Sequence, residues 1–322
     1  MSRLLIFSVL LLCISATSQA AHPPKVHDPV MARGEDGRYY IFSTGVGLDV
    51  MSSTNMHEWR HESRVFDVIP QWAIDTVSGY RGHTWAPDIS YHNGLWHLYY
   101  SCSTFGRNGS AIGLAVNKTL DPASPDFGWT DRGMVIASHR HVDNWNAIDP
   151  NLALSADSVP WLAFGSFWDG IQLVRLSADD YRTPIGAPVT IARRCQPGEG
   201  TNAIEAPFIF HHGDYYYLFV SFDYCCKGDK STYKTVYGRS RHIDGPYVDQ
   251  AGQPMLTGGG TLLFGPDDYY FGIGHCAVYN VDGHIMFISH AYDRATDGQP
   301  VLFVRTLAFN DTGWITPLDH PF

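Results

Sequence analysis

The stretch IEAPFIFHHGDYYYLFVS, residues 204–221, contains the pattern that decides the fold. It begins with a carboxylate, a small residue and a proline, and continues as a run of alternating apolar residues. A glycine then separates this run from a second, aromatic-rich run. Glycine between two such runs is a hairpin signal. The stretch therefore predicts an antiparallel strand pair with Glu205 at its start.

Four further stretches repeat this order at intervals of about 55 to 70 residues. They read HDPVMARGEDGRYYIFS (27–43), WAPDISYHNGLWHLYYS (85–101), IDPNLALSADSVPWLAFGS (148–166, without the turn glycine) and GHCAVYNVDGHIMFIS (274–289). In β-propellers, four-stranded blades surround a central channel. The repeats predict an all-β fold, a five-bladed β-propeller built as a single domain over residues 21–322.

The residue that leads each copy is predicted to face the channel. The leading residue precedes the turn glycine by about 8 or 9 positions wherever that glycine exists, so Asp28, Trp85, Asp149, Glu205 and His275 are predicted to be equivalent. The innermost strand of a blade lines the channel of a propeller. Residues far apart in sequence are therefore expected to meet at one axis, and three of the five are carboxylates.

Carboxylates gathered in this way suit hydrolysis of a glycosidic bond. That reaction needs one carboxylic acid to protonate the leaving oxygen and one carboxylate opposite it. A single Asp-Pro is an ordinary turn starter, but three acids at one repeat position favour a catalytic use of Asp28, Asp149 and Glu205. Burial among apolar neighbours and mutual repulsion are expected to push their pKa values apart.

The other two leading residues have several explanations. Trp85 is expected either to pack on a sugar ring or to close the channel. His275 is expected to be a satisfied core histidine, a proton shuttle or a metal ligand, and a hard cation held mainly by water is compatible with it. Loops that follow strands border the channel mouth, so Phe105, Gly106 and Trp168 are candidate substrate contacts.

Composition excludes some partners and indicates export. The formal net charge is −10 and no Lys/Arg cluster occurs, so a nucleic-acid partner is not expected. The beginning, MSRLLIFSVLLLCISATSQA, has a basic residue, an apolar run and small residues, which predicts a signal peptide over residues 1–20. Its apolar run is shorter than the roughly 20 residues that span a bilayer. We expect a secreted monomer with no membrane partner.

Five cysteines follow the predicted signal: Cys102, Cys195, Cys225, Cys226 and Cys276. Their spacing does not match a zinc site. Because the number is odd, at least one thiol stays unpaired within a monomer. The neighbouring pair Cys225 and Cys226 could bridge to Cys195, since export permits disulfides, or could be buried structural thiols.

The whole predicted mature chain resembles glycoside hydrolase family 43, and within it the endo-acting α-1,5-L-arabinanases. The motifs that carry the resemblance are Val26-His27-Asp28-Pro29, Arg81-Gly82-His83-Thr84-Trp85-Ala86-Pro87-Asp88, Ser103-Thr104-Phe105-Gly106, Ser110-Ala111-Ile112-Gly113, Asn146-Ala147-Ile148-Asp149-Pro150, Gly165-Ser166-Phe167-Trp168, Asn202-Ala203-Ile204-Glu205-Ala206-Pro207 and Gly274-His275.

The resemblance implies a role for each motif. It implies inverting hydrolysis of arabinan and arabino-oligosaccharides from pectin, with Asp28 as general base, Glu205 as general acid and Asp149 as the residue that tunes and orients the acid. His275 would belong to a central metal site, with calcium and sometimes sodium held largely through water. Cys276 beside it departs from the residue expected there. The positions that match sugar subsites or the loops beside them are His27, Trp85, Phe105, Gly106, Asn146, Ser166, Phe167 and Trp168.

Other activities remain as alternatives. An exo-acting arabinofuranosidase or a β-xylosidase of the same family would share the three acids. A silent carbohydrate-binding propeller would lack at least one acid, whereas all three are present. A fructan- or sucrose-active five-bladed enzyme would use retaining chemistry, which requires its two carboxyl groups only about 5 Å apart.

Overall fold

The computed structural model describes residues 22–318, and almost all of its regular structure is β-strand. The prediction of an all-β fold is confirmed. The predicted signal, residues 1–20, lies outside the described part, as do residue 21 and residues 319–322. Within the described range no helix is long and apolar enough to cross a membrane.

The strands are short, in keeping with a chain that contains 31 glycines and 19 prolines. In chain order they are β1 (Val30–Arg33), β2 (Tyr39–Ser43), β3 (Gly45–Val46), β4 (Asp49–Ser53), β5 (Arg60–His61), β6 (His83–His92), β7 (Leu95–Cys102), β8 (Ser110–Asn117), β9 (Thr130–Ser138), β10 (Asn151–Leu154), β11 (Pro160–Phe164), β12 (Ile171–Leu176), β13 (Pro184–Ala192), β14 (Ile204–His212), β15 (Tyr215–Phe222), β16 (Lys234–Ser240), β17 (Thr261–Phe264), β18 (Tyr270–Val281), β19 (His284–Asp293), β20 (Gln299–Phe309) and β21 (Ile315–Pro317). The helical segments are α1 (Gln71–Thr76) and single 3-10 turns at Gly228–Lys230, Met255–Thr257 and Arg294–Thr296.

Each of the five sequence copies forms the predicted antiparallel hairpin. The pairs are β1 with β2, β6 with β7, β10 with β11, β14 with β15 and β18 with β19. A third antiparallel strand follows in each, namely β4, β8, β12, β16 and β20. A fourth completes it, namely β5, β9, β13, β17 and β21. Every copy thus grows into a four-stranded unit.

The first strands of the five units contact one another in cyclic order. β1 contacts β6, β6 contacts β10, β10 contacts β14, β14 contacts β18, and β18 contacts β1. The first described residues also join the last unit, since Lys25 bridges to Val301 and the Leu302 amide donates to the Pro24 carbonyl at 2.9 Å. The two ends of the described chain are therefore held together in one unit.

Large aromatic side chains fill the space between the units. Tyr40, Tyr100, Tyr217, Phe219 and Phe287 are each at most 1% exposed and belong to one apolar cluster. Such side chains bury much apolar area per residue, and that burial is the main favourable contribution to folding. The aromatic second strand of each repeat therefore supplies much of the core, and the head of the first strand is not needed for it.

A ring of backbone contacts fixes the residues at the head of each unit. In each unit one head residue has a positive φ and donates its amide to a side chain of the preceding unit in the ring. These donors and acceptors are Asp28 to His290 Nδ1 (3.2 Å), Ala86 to Thr44 Oγ1 (2.9 Å), Asp149 to Ser101 Oγ (3.0 Å), Ala206 to Asp149 Oδ2 (3.1 Å) and His275 to Ser221 Oγ (2.8 Å).

This ring corrects the predicted equivalence at two positions. Asp28, Asp149 and His275 are equivalent as predicted, but Ala86 and Ala206 occupy the matching places in the other two units. Trp85 and Glu205 lie one residue earlier. The distance from the positive-φ residue to the turn glycine varies between units, being 9 positions for Asp28, 8 for Ala86 and His275 and 7 for Ala206, so a fixed count does not identify the equivalent residue.

Candidate active site

All twelve predicted site residues line one cleft at the centre of the ring. Its volume is about 1120 Å³, above the range of roughly 300 to 1,000 Å³ usual for small-molecule pockets. The cleft can therefore hold a ligand of several sugar units. The predicted residues among its lining are His27, Asp28, Trp85, Phe105, Gly106, Asn146, Asp149, Ser166, Phe167, Trp168, Glu205 and His275.

Asp28 is held as a carboxylate. Thr44 Oγ1 donates to Asp28 Oδ2 at 2.6 Å, and the Nδ1 atoms of His27 and His275 lie 2.9 and 3.1 Å from Oδ1. Burial alone would raise the pKa of Asp28, but the charges and hydrogen bonds of the two histidines together lower it well below its usual value. This group is therefore suited to accept a proton.

Glu205 is held in the opposite state. It starts β14 and forms a bridge with Ser166, whose Oγ donates to Glu205 Oε2 at 2.7 Å. Burial raises the pKa of Glu205, and the charge on Asp28 adds to this, although hydrogen bonds from Ser166 and Tyr233 and the charge of His275 oppose it. A raised pKa keeps a carboxylic acid protonated, so this group is suited to donate a proton.

Asp149 interacts electrostatically with both of these groups. It is 6% exposed, and burial raises its pKa to about 8; His275 opposes the rise, while Glu205 and Asp28 add to it. Its Oδ2 accepts the Ala206 amide, directly after Glu205 in the chain, at 3.1 Å. Asp149 therefore interacts with the charge of Glu205 and also accepts a hydrogen bond from the backbone next to Glu205.

His275 occupies a place that favours positive charge. Burial alone would lower its pKa, but Asp28, Asp149 and Glu205 outweigh this and raise the pKa to about 9. A proton and a metal cation would be stabilised there by the same carboxylates. Hard cations prefer oxygen ligands, and Asp28 already accepts from Thr44 and lies against two histidines. The donor set fits a cation whose remaining ligands are water.

A second histidine pair beside Asp28 is a poor alternative cation site. Donor atoms of His27, Asp28 and His290 lie within 4.8 Å of one another. However, His290 Nδ1 already accepts the Asp28 amide, and the two ring nitrogens of His27 face Asp28 and the Tyr292 hydroxyl. These ring nitrogens are therefore used by the protein itself.

Aromatic and amide side chains form the walls of the cleft. Phe105 is 83% exposed and Trp168 is 37% exposed, so both offer apolar faces to a ligand. Asn146 is held by Ser110, whose Oγ donates to Oδ1 at 2.7 Å, which leaves the two N–H groups of the Asn146 amide as donors. Flat apolar faces combined with a few fixed polar groups are typical of sugar recognition.

The sequence patterns did not indicate several residues of this site. Four of these residues form hydrogen bonds with the acids or with His27, namely Thr44, Tyr233, His290 and Tyr292. Thr44 and His290 stand at the ends of second strands, where Ser101 and Ser221 stand in other units, so the repeat contained a signal for them. Tyr233 and Tyr292 have no such pattern, because their contacts come from the packing of neighbouring units.

The cysteine predictions need correction. Cys225 and Cys226 are joined to each other by a disulfide, so neither the bridge to Cys195 nor the pair of buried thiols is right. The turn brings these adjacent sulfurs together at the cleft wall, where Cys225 is half-buried and Cys226 exposed. Cys102, Cys195 and Cys276 are free thiols, which confirms that at least one cysteine is unpaired.

Residues 22–315 match the family model described as Glycosyl hydrolases family 43. The chain belongs to this family. As a family 43 protein it is a glycoside hydrolase, and the predicted enzyme class is confirmed. The match spans all five four-stranded units and all three acids.

Three relatives of this family 43 chain are informative. It is 41% identical over 325 residues to the extracellular exo-α-(1→5)-L-arabinofuranosidase ArbA of Cellvibrio japonicus, covering 95% of this chain and 90% of that protein. It is 43% identical over 293 residues to the extracellular endo-α-(1→5)-L-arabinanase 1 of Bacillus subtilis, covering 90% and 86%. A solved exo-1,5-α-L-arabinanase from a bovine ruminal metagenomic library is 57% identical, with a TM-score of 0.90 and coverage of 93% and 98%.

Proposed function

We propose that this family 43 chain hydrolyses internal α-1,5-L-arabinofuranosidic bonds of linear arabinan and its oligosaccharides. The observation that carries the proposal is the opposite displacement of two pKa values in one cleft, down for Asp28 and up for Glu205. Two carboxyl groups with separated pKa values can act as base and acid at the same pH. The relatives named for this linkage support the choice of substrate.

In this proposal the reaction is a single displacement. Asp28 takes a proton from a water molecule as the water oxygen bonds to the anomeric carbon, and Glu205 gives its proton to the leaving sugar oxygen as that bond breaks. Inversion requires room for the water, with roughly 6.5 to 9.5 Å between the carboxyl groups. The β1 and β14 units are not neighbours in the cyclic order, which supports such a gap.

The proposed architecture is a five-bladed β-propeller formed by one domain over residues 21–322. Its support is the closed order of contacts among the five first strands and the four-stranded make-up of each unit. Pairing of the first described residues with β20 supports closure of the ring by the two chain ends. In such a fold the head residues meet at the axis, as the common cleft requires.

We also propose that His275 is the protein ligand of a central cation, calcium or sodium. When bound, the cation would supply positive charge beneath the three carboxylates. We expect Ca²⁺, added after chelator treatment, to raise the melting temperature of the wild-type protein but not of His275→Ala, because a ligand that binds only the folded state stabilises it. The exposed His57→Ala is the matched control. Equal shifts in all three proteins, or none in the wild type, would contradict the assignment.

Asp149 is proposed to delay the ionisation of Glu205. The two carboxylates repel each other when both are charged, so the second ionisation of the pair occurs at higher pH. Since Glu205 acts in its protonated form, activity is lost as pH rises through that ionisation. We expect Asp149→Asn to move the basic limb of kcat/KM down by about one pH unit. Asp126→Asn, an exposed acid outside the cleft lining, is the control and should leave the limb in place; an unmoved limb in Asp149→Asn would refute the role.

A second candidate is exo action on the same bond. It is favoured by the names of two relatives, the ruminal structure and the Cellvibrio enzyme. Chromatography of early products from debranched linear arabinan separates the two modes. A ladder of oligomers of many lengths supports endo action, whereas one short product from the first minutes indicates exo action. Release of no arabinose-containing product would overturn both candidates.

We further propose that the protein is exported after cleavage behind Ala20 and acts as a monomer. Relatives named extracellular support the export. Sequencing of the exported protein should begin at Ala21, and light scattering should give the mass of one chain. An uncleaved start or a stable dimer would contradict the respective point.

A further inference from the structure

The cleft wall contains a disulfide that takes no part in the proposed displacement. Cys225 and Cys226 are bonded to each other in the turn after β15. Cys225, Cys226 and their neighbours Tyr224 and Lys227 line the same cleft as the three acids. Disulfides usually close long loops and gain stability from that closure, but a bond between adjacent residues closes none. Its position beside the three acids indicates an effect on the geometry of the site.

Three contacts connect this turn to Asp28. The Cys226 amide donates to the Tyr292 hydroxyl oxygen at 2.7 Å. That hydroxyl lies 3.0 Å from His27 Nε2, and His27 Nδ1 lies 2.9 Å from Asp28 Oδ1. Tyr292 is 2% exposed, so solvent has little access to the link. Cys226 Sγ also lies 3.8 Å from His27 Nε2, so the disulfide contacts His27 directly as well as through Tyr292.

These hydrogen bonds suit one tautomer of His27. The Tyr292 oxygen accepts from the Cys226 amide and is also hydrogen-bonded to Ser231, and its own proton can be donated to His27 Nε2. When Nε2 accepts, a neutral imidazole carries its proton on Nδ1. Nδ1 faces Asp28 Oδ1, so this tautomer donates to the carboxylate. The other tautomer would put a lone pair against the carboxylate and lose that contact.

The disulfide also explains how the Cys226 amide is kept in place. Cys226 has a φ of 65°, in the left-handed region that residues other than glycine seldom adopt. The bond to Cys225 closes a small ring around this peptide unit. Without it this peptide unit loses its covalent constraint, and rotation of the unit would turn the amide away from Tyr292.

We propose that the Cys225–Cys226 disulfide is a positioning element for the base, holding the Cys226 amide on Tyr292 so that Tyr292 fixes His27 and His27 orients Asp28. The inference rests on the proposed function, because it assigns its effect to Asp28. Cys225, Cys226 and Tyr292 are positioning residues that act through His27.

The test is a cycle that combines reduction with Tyr292→Phe. A water-soluble phosphine becomes its oxide, taking oxygen from water, and the two sulfurs are released as thiols. We expect reduction to lower kcat of the wild type on linear arabino-oligosaccharides by about tenfold, the rate equivalent of one hydrogen bond, with KM little changed. Tyr292→Phe should show a similar loss, and the same reductant should lower it by much less than a further tenfold, because only the long contact between Cys226 Sγ and His27 Nε2 is then left to lose. Non-additivity of this kind is expected only if both changes break one chain of contacts.

Two controls complete the design. Cys225→Ser/Cys226→Ser removes the bond without reductant and should match the reduced wild type, and adding reductant to it should change nothing. Cys102→Ser replaces a buried thiol outside the cleft lining and should keep wild-type kcat with and without reductant. Thiol counting by mass spectrometry after alkylation verifies that the bond was opened.

The outcomes separate this inference from the function on which it rests. An active wild type whose kcat is unchanged by verified reduction overturns the inference alone. A further tenfold loss on reduction of Tyr292→Phe, or an effect confined to KM, also overturns it, because the disulfide would then act only as part of the cleft wall. If the double variant does not fold, the reduction cycle still decides. A wild type inactive on arabinan contradicts the proposed function instead.

Discussion

Replacing Glu205 by alanine is expected to lower kcat on linear arabinan by about 10² to 10⁴-fold, the usual contribution of a general acid. The sugar that leaves from arabinan is a poor leaving group and needs a proton as the bond breaks. An activated aryl arabinofuranoside needs none, so its hydrolysis should stay much closer to the wild-type rate. Initial rates on both substrates give the comparison.

The contrast between the two substrates is the diagnostic feature. Alanine leaves Ser166 and Tyr233 without their partner, so a loss of stability could lower both rates together. Glu205→Gln keeps the size and most hydrogen bonds of the side chain, and it should show the same contrast. Glu58→Ala, an exposed carboxylate outside the cleft, is the matched control. Equal losses on both substrates in a folded Glu205→Gln protein would refute the assignment of the acid.

Asp28→Asn is expected to lower both rates by about 10² to 10⁴-fold. Activation of water is required whatever the leaving group, so an activated substrate cannot compensate for a missing base. Asparagine keeps the shape that Thr44 and the two histidines contact, although it cannot accept the proton. The measurement is the same pair of initial rates, with melting temperatures to verify folding.

The matched control for Asp28 is Asp282→Asn. Asp282 pairs with Arg33 on the surface, with both side chains about half exposed or more, and an exposed pair contributes about 0 to 1 kcal/mol. Its rates should equal those of the wild type. Recovery of Asp28→Asn on the activated substrate would contradict the base role and exchange the assignments of Asp28 and Glu205.

Local sequence patterns were sufficient to predict the five hairpins. A glycine or Ser turn between an alternating and an aromatic run needs only short-range information, and the period of the copies added the expectation that Asp28, Asp149 and Glu205 come together, as they do in one cleft. The offset of Trp85 and Glu205 was not accessible in this way. The distance between the head residue and the turn differs by one or two positions between copies, and the repeat pattern does not report this variation.

Contacts between units account for most of what the sequence did not indicate. Tyr292 reaches His27 across 265 positions, and the Cys226 amide meets Tyr292 across 66. Such contacts depend on how neighbouring units pack, which no local pattern records. The disulfide shows the same limit, because cysteine spacing permits several pairings and the turn conformation chooses among them.

Inversion is tested most directly by ¹H NMR of linear arabinan in the first minutes of hydrolysis. Asp28 as base and Glu205 as acid, with a water between base and substrate, make one displacement at the anomeric carbon. New reducing ends should therefore appear first as the β anomer and then equilibrate. Reducing ends that appear first as the α anomer, or no new reducing ends, would contradict it.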